Sequence, residues 1–298
     1  MRLLLTGASG QLGGYLLREI VSRELPVVAW SGSRTGRLFG VELQPVDLAD
    51  PAQTVAAFRQ AAPTAVIHAA AIAAITECRR DPARAQRVNT HATAVLADLA
   101  EQAGARFLLV STDLVFDGEK GWYREADAPC PLSMYGRTKA AAETPVVGIQ
   151  RSLVVRLSLL FGPGIVGRPY FFDEQVAAIR EGRPITLFRD EWRTPVSLAT
   201  GARALVALVQ SDVGGILHLG GPERLSRWEM GQRLAAFLGV EPSGIEAGLR
   251  SSVPAAEPRP RDTSLDSSRW RELFPKQPWP TWSAALSEMA TEPHFPNR

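Results

Sequence analysis

The run Arg2-Leu3-Leu4-Leu5-Thr6-Gly7-Ala8-Ser9-Gly10-Gln11-Leu12-Gly13 narrows the folds open to this chain more than any other segment. A short apolar stretch, a glycine-rich turn and an amphipathic segment follow one another without a spacer. That order predicts a buried strand, a tight turn and a helix N-terminus. The first turn of a helix leaves backbone N–H groups unpaired and carries the positive end of the helix dipole, so it suits a phosphate. Gly7 is placed to take a backbone angle closed to other residues, Gly10 to let backbone approach a pyrophosphate, and Gly13 to let the helix pack on the strand. The spacing is Gly-x-x-Gly-x-x-Gly, not the Gly-x-Gly-x-x-Gly of the usual dinucleotide fingerprint. A nucleotide cradle of Gly7, Ser9, Gly10, Gln11 and Leu12 is the favoured reading, with a purely structural turn as the alternative.

Strand and helix patterns then alternate along the chain. Pro26–Ser31, Val41–Val46, Ala65–Ala71, Ala105–Thr112 and Ser152–Phe161 read as strands. Gln11–Arg23, Pro51–Ala61, Asp81–Ala103 and Tyr135–Glu143 read as helices between them. This alternation predicts an α/β, doubly wound parallel sheet with ligands at the carboxyl ends of its strands. Beyond Gly162-Pro163-Gly164 the pattern loosens. A helix over Tyr170–Glu181, a short strand over Pro184–Leu187 and a polar loop at Asp190–Pro195 are expected. A helix over Ala199–Val209 and a strand over Gly215–Leu219 follow, then a capping box at Ser226-Arg227-Trp228-Glu229 opening a helix to about Leu238. Short helices near Ser267–Leu273 and Trp282–Met289 close the chain, and no element is assigned after Thr291.

The end of the second strand bears on the nucleotide. A site that prefers NAD holds the adenosine ribose hydroxyls with an Asp or Glu about 20 residues beyond the glycines. Here the segment reads Ser31-Gly32-Ser33-Arg34-Thr35-Gly36-Arg37, with no acid. Ser31, Ser33 and Arg34 would instead suit a 2′-phosphate, so NADP(H) is favoured over NAD(H); a solvated surface arginine is the alternative. Asp47 and Leu48 are placed against the adenine. Ala69, Ala70 and Ala71 are small enough to admit a flat ligand, with close packing on a helix as the alternative, and Asn89 in the helix that follows is a further cofactor-side candidate.

Thr112 stands at a strand end. Tyr135 and Lys139 are four residues apart on one helix, so their side chains share a face. An ammonium near a phenol favours the phenolate, which makes the tyrosine a usable proton donor and acceptor near neutral pH. The four histidines, His68, His91, His218 and His294, show no metal-ligand spacing and are read as structural; no metal is expected. The chain carries 33 Lys plus Arg against 31 Asp plus Glu, a net charge of +2, which gives no case for nucleic acid or an anionic membrane as partner. Cys78 and Cys130 form no metal-spaced or redox pair, and the leading apolar run is too short for a signal peptide or a span. A cytoplasmic chain is expected.

These residues together resemble an extended short-chain dehydrogenase/reductase, and more narrowly the dTDP-4-dehydrorhamnose reductase group. The anchors are the Thr6–Gly13 turn, Ser111-Thr112-Asp113-Leu114-Val115-Phe116-Asp117-Gly118, and Tyr135-Gly136-Arg137-Thr138-Lys139. Arg193-Thr194-Pro195 and Arg259-Pro260-Arg261-Asp262-Thr263-Ser264-Leu265-Asp266 are looser anchors.

The resemblance implies a Rossmann-type doubly wound sheet with a smaller C-terminal α/β substrate-binding domain. The cofactor domain would span 1–164 with about 193–218, and the substrate domain about 165–192 and 219–290. It further implies hydride transfer to C4 of a nucleotide-linked 4-keto sugar. Tyr135 would be the proton donor, Thr112 would orient the oxygen, and Lys139 would hold the nicotinamide ribose. Asp113, Arg193 and Arg261 are the substrate-side candidates, and a homodimer is the oligomer relatives would suggest. Leu114, Leu159 and Ala142 depart from the family's usual Tyr, Trp and Gly. The Arg193 loop is similar to a side branch that includes a regulatory subunit of methionine adenosyltransferase. An epimerase or dehydratase of the same fold, or a non-catalytic NADP-binding subunit, are the alternatives.

Overall fold

A computed structural model describes residues 1–255 and 257–295. Leu3–Thr6 forms a fully buried strand near the middle of an eight-stranded sheet. The spatial order is Gly215–Leu219, Ser152–Leu157, Arg106–Thr112, Ala65–His68, Leu3–Thr6, Val27–Ser31, Val41–Pro45 and Arg37–Leu38. All neighbours run parallel except the short Arg37–Leu38 edge.

Side chains alternate across a strand, so Leu3 and Leu5 face one layer and Leu4 the other. The first layer is made by Gln11–Ser22 and Leu198–Val209, packing Leu16, Leu17, Ile20 and Leu205 onto Leu3 and Leu5. The second is made by Pro51–Ala61 and Ala92–Gln102, packing Phe58 and Leu96 onto Leu4. The doubly wound expectation is borne out. Helix starts follow local chemistry: Asp50 accepts from the Ala52 and Gln53 N–H groups ahead of Pro51, and the Ser226–Glu229 capping box forms as expected.

The chain builds outward from Leu3–Thr6 on one side and then restarts with Ala65–His68 on the other. The crevice between these two strands is the switch point where ligands bind in such sheets. A buried polar chain supports it. The Ala70 N–H donates to Thr6 Oγ1 at 3.2 Å, and the Thr6 hydroxyl donates to His68 Nδ1 at 2.7 Å, because Thr93 spends its proton on the Asn89 carbonyl and so accepts the proton of Nε2. His68 Nε2 then donates to Thr93 at 3.0 Å, and Thr93 to the Asn89 carbonyl at 2.7 Å. Burial, with Lys139 adding to it, holds the His68 pKa down to about 3, so this ring is a neutral structural spacer.

Several boundaries differ from the sequence expectation, each for a tertiary reason. The strand expected over Ser152–Phe161 divides: Ser152–Leu157 stays in the main sheet, while Leu160–Phe161 pairs with Val196–Ser197. Ser158 sits at the break and donates to Asp113 at 3.3 Å while accepting from the Thr194 N–H at 3.2 Å. The helix expected over Asp81–Ala103 contains a π-helical turn at Gln86–His91, where Asn89 turns toward Ile72 and Thr138.

The polar loop expected at Asp190–Pro195 contains a strand, Trp192–Arg193, antiparallel to Leu225–Ser226. The strand expected over Ala65–Ala71 stops at His68. The helix Ile75–Arg80 and the strand Ile245–Gly248, paired with Ile185–Phe188, had no sequence counterpart. Phe295, in the unassigned tail, packs edge-on against Phe172 and Phe237 in a separate apolar cluster with Leu234 and Leu286; residues 296–298 lie outside the described residues. Among the described residues no helix is long and apolar enough to cross a membrane.

Candidate active site

The glycine turn is shaped by what touches it. Gly7 has φ +72°, and a Cβ there would lie 2.7 Å from the Ala70 nitrogen. A Cβ at Gly13 would lie 1.9 Å from the Gly7 carbonyl oxygen, so the helix rests directly on the turn. The helix begins at Gly10 with no side-chain cap and no acidic residue in its first turn. Its leading N–H groups therefore remain available to an anion.

They open onto a cleft of about 270 Å³ lined by Gly7, Ser9, Gly10, Ser31, Asp47, Leu48, Ala69, Ala70 and Ala71, with Trp30, Arg84 and Arg168. A cleft walled by backbone and alanine, with a bare helix end at its floor, fits the pyrophosphate and adenosine of a dinucleotide.

The remaining sequence candidates lie elsewhere. Gln11 donates to the Arg168 carbonyl at 3.2 Å, leaving its own Oε1 buried and unpartnered. Leu12 packs against the core beside the sheet, and Ser33 is exposed away from the cleft. Arg34 turns away from the cleft and donates to the Val166 carbonyl at 2.6 Å, while Ser31 donates to the Arg34 carbonyl. Arg34 is thus a latch on the segment that carries Arg168. Asn89 is fully buried and pairs with both backbone groups of Ile72 and with Thr138. It ties the chain after Ala71 to the Tyr135 helix without reaching the cleft. Arg84 and Arg168 had no local signal in the sequence, because packing alone brings them to the cleft.

The helix Met134–Glu143 is capped by Ser133, which accepts from the Gly136 N–H at 3.1 Å. A Cβ at Gly136 would lie 2.2 Å from the Leu114 carbonyl oxygen, so glycine is what lets Tyr135 approach the turn after Thr112. The Tyr135 phenol lies beside the Thr112 hydroxyl, which itself donates to Asp113 Oδ1 at 3.2 Å and accepts from the Leu114 N–H at 3.2 Å. Burial pushes the phenol pKa up, the nearby Asp113 and Cys78 add to this, and the Thr112 hydroxyl works against it.

This corrects the expectation that Lys139 depresses the tyrosine pKa: in the chain by itself the phenol is held protonated. Lys139 is perturbed in the opposite direction, its pKa pushed down to about 8 by burial while Glu143 pulls it back up.

Beside this group lies a cavity of about 420 Å³ walled by Asp113, Leu114, Leu159, Glu191, Arg193, Arg227 and Arg259 among others. A second cavity of about 280 Å³ shares Leu159, Glu191, Arg227 and Arg259 and continues to Phe171, Phe188 and Trp282. Leu114 and Leu159, two of the residues that depart from the family pattern, thus face the first cavity.

Asp113 is buried and pinned by Thr263 at 2.8 Å and Arg193 at 3.6 Å. Burial raises its pKa, while Arg193 and the Thr263 bond work the other way. Arg193 is likewise buried and committed, pairing with Glu191 at 3.3 Å and donating to the Trp192 and Pro260 carbonyls. Its role as a free diphosphate clamp does not fit these contacts. Arg261 donates to the Glu119 carbonyl at 3.0 Å and lines neither cavity. The arginines that line both cavities are Arg227, paired with Glu191 at 2.9 Å, and Arg259, stacked over Phe188 at 5.0 Å and donating from Nη1 to the Val253 carbonyl at 2.9 Å.

Comparison with known proteins identifies the family. A family described as the RmlD substrate binding domain matches residues 1–294. A probable low-salt glycan biosynthesis reductase, Agl14, of Haloferax volcanii is 30% identical over 275 residues, 90% of each chain. A dTDP-4-dehydrorhamnose reductase of Mycobacterium tuberculosis is 28% identical, covering 98% of this chain and 93% of its own. The dTDP-4-dehydrorhamnose reductase of Bacillus anthracis, solved in complex with NADP, superposes with a TM-score of 0.84 at 21% identity, over 97% of this chain and 98% of that one. The chain belongs to the RmlD substrate-binding domain family, an oxidoreductase family of the extended short-chain dehydrogenase/reductase type.

Proposed function

We propose that this chain is an NADP(H)-dependent reductase of a nucleotide-linked 4-keto sugar. The observation that supports the reading is the Thr112 hydroxyl and the Tyr135 phenol side by side, with Lys139 one turn along and with their chain neighbours Asp113, Leu114 and Ser133 lining the first cavity. When bound, the reduced nicotinamide supplies the hydride. Tyr135, kept protonated by burial, donates its proton to the oxygen on C4, and Thr112 orients that oxygen. The oxygen gains charge only as the carbonyl is reduced, so donors aimed at it favour the transition state over the ground state. Lys139 would hold the nicotinamide ribose hydroxyls, and its positive charge would aid proton loss from the phenol.

The double cavity divides the substrate. The sugar occupies the end near Asp113 and Leu114, the nucleoside the end near Phe171, Phe188 and Trp282, and the diphosphate lies at Arg227 and Arg259. A planar guanidinium pairs with phosphate through two parallel hydrogen bonds, which suits both arginines to that place. Asp113 and Arg193 shape the sugar pocket as a fixed ion pair.

Purified protein with NADPH is expected to oxidise the cofactor on addition of at least one member of a panel of dTDP- and other nucleotide-linked 4-keto sugars. No NADPH oxidation across the panel overturns the reading, and oxidised cofactor retained through purification favours an epimerase instead.

Recognition of the 2′-phosphate falls to the cations that line the cleft. Arg168→Gln is expected to weaken NADPH binding about tenfold or more, a loss of about 1.4 kcal/mol, with a smaller effect on NADH. Arg34→Gln should act in the same direction but less, by releasing the segment that carries Arg168. Fluorescence titration of both variants with both cofactors checks this; an unchanged NADPH affinity in Arg168→Gln removes that residue from the site.

A further inference from the structure

Glu143 ends the Tyr135–Lys139 helix, and no step described above uses it. It lies one turn beyond Lys139, so the two side chains share a face, and both are buried, at 4% and 2% exposure. Its carboxylate is held by two residues from other strands. Arg156 donates from Nε to Oε1 at 3.1 Å and from Nη2 to Oε2 at 2.7 Å, and Ser111 donates its hydroxyl to Oε1.

Arg156 is itself fixed by the face of Phe116, 5.0 Å away, and by His218 Nε2 at 3.3 Å. The other ring nitrogen of His218 lies 2.9 Å from the Tyr123 carbonyl oxygen, which can only accept. The proton is therefore on Nδ1, and Nε2 accepts from Arg156. Burial, helped by Arg156, holds the His218 pKa down to about 3, so the arrangement persists through the neutral range.

A buried ion pair contributes little net stability compared with apolar residues of equal volume. The placement of this one has a different consequence. Ser111 directly precedes Thr112, so the carboxylate joins the strand that presents Thr112 to the helix that presents Tyr135 and Lys139. We propose that Glu143, clamped by Ser111 and Arg156, is a positioning residue that keeps the Lys139 ammonium charged inside the protein and holds its helix in register with Thr112. The proposal rests on the reductase reading for the duties of Tyr135 and Lys139.

The groups facing this cluster are few. Lys139 meets Glu143 on its own helix and the neutral His68 from the adjacent strand. Glu143 meets Arg156, with His218 behind it, while Asp113 and Cys78 act on Tyr135. Burial pushes Lys139 toward its neutral form and Glu143 opposes that, so removing the carboxylate's charge lowers the pH at which Lys139 loses its proton.

The chain has three lysines, Lys120, Lys139 and Lys276, so lysine-selective 15N labelling lets Lys139 be followed without cofactor or substrate. Glu143→Gln keeps the shape and an acceptor for Ser111 but loses the charge. Its Lys139 midpoint is expected to fall by about one pH unit, with the alkaline limb of kcat/KM following, so that activity drops about tenfold at pH 9 and less than about threefold at pH 6.5. An unmoved midpoint overturns the proposal whether or not a substrate is known. A shifted midpoint in a protein that turns over no keto sugar supports the Lys139 link and overturns the reductase reading instead. Should Glu143→Gln fail to fold, Ser111→Ala leaves the ion pair intact. It is expected to lower kcat about three- to tenfold at unchanged KM, and wild-type kcat in that variant overturns the register role.

Discussion

Tyr135→Phe should reduce turnover of the keto-sugar substrate by about 10²–10⁴-fold, the usual worth of a positioned proton donor. The substitution deletes one hydroxyl from a half-buried ring, so it leaves the helix, the Ser133 cap and the cofactor cleft unchanged. NADPH affinity and the thermal midpoint are therefore expected to stay close to wild type. The loss falls on kcat and kcat/KM together, because the interaction is made chiefly in the transition state. Turnover within about twofold of wild type, measured by NADPH absorbance, would falsify a direct role for Tyr135.

Replacing Lys139 by Met should separate activity from stability. The ammonium lies in the interior with a pKa pushed down to about 8 from 10.5. A lysine whose pKa is lower in the folded than in the unfolded chain opposes folding while charged. The unfolded state binds more protons between about pH 8 and 10.5, so this residue's cost is full below that window and is relieved as pH rises through it. Lys139→Met removes the cost, and Glu143 keeps Arg156 as its partner. The thermal midpoint at pH 7 is expected to rise by several degrees, equivalent to about 1–3 kcal/mol, while turnover falls at least about 100-fold. A variant that is both inactive and less stable at pH 7 would contradict the assignment of Lys139 as a strained functional group.

How far the site was legible differs from residue to residue. The glycine turn, Thr112, Tyr135 and Lys139 were readable because each depends on local spacing: a strand followed by a helix, a strand end, and residues one helical turn apart. The alternation Leu3–Leu4–Leu5 likewise announced a strand buried on both faces. Arg34, Arg193 and Arg261 show where that kind of reading ends. Each was a plausible phosphate partner by residue type, yet their contacts are with Val166, Glu191 with Asp113, and Glu119 respectively, and most of these lie far away in the chain. A guanidinium reaches several ångströms and takes whichever acceptor the fold brings near, so its duty cannot be read from its neighbours in sequence.

The protonation of Tyr135 and Lys139 depends on the same long-range packing. Spacing alone suggested a tyrosine made acidic by its lysine; burial instead raises the tyrosine and lowers the lysine. Desolvation depends on how completely other segments cover a group, and no local pattern records that. Glu143 makes the point within a single motif. Its place one turn after Lys139 follows from helical periodicity, whereas its clamp depends on Ser111, Arg156 and His218 arriving from three strands of the sheet.

Residue order within about a dozen positions therefore determined the sheet, the cradle and the spacing of the candidate side chains Thr112, Tyr135 and Lys139, because backbone periodicity and turn chemistry act over that range. Tertiary structure alone decided which arginines line the cavities, which are spent on the fold, and which form of each titratable group prevails. Those properties are set by solvent exclusion and by partners supplied from distant segments, and both exist only once the chain has closed on itself.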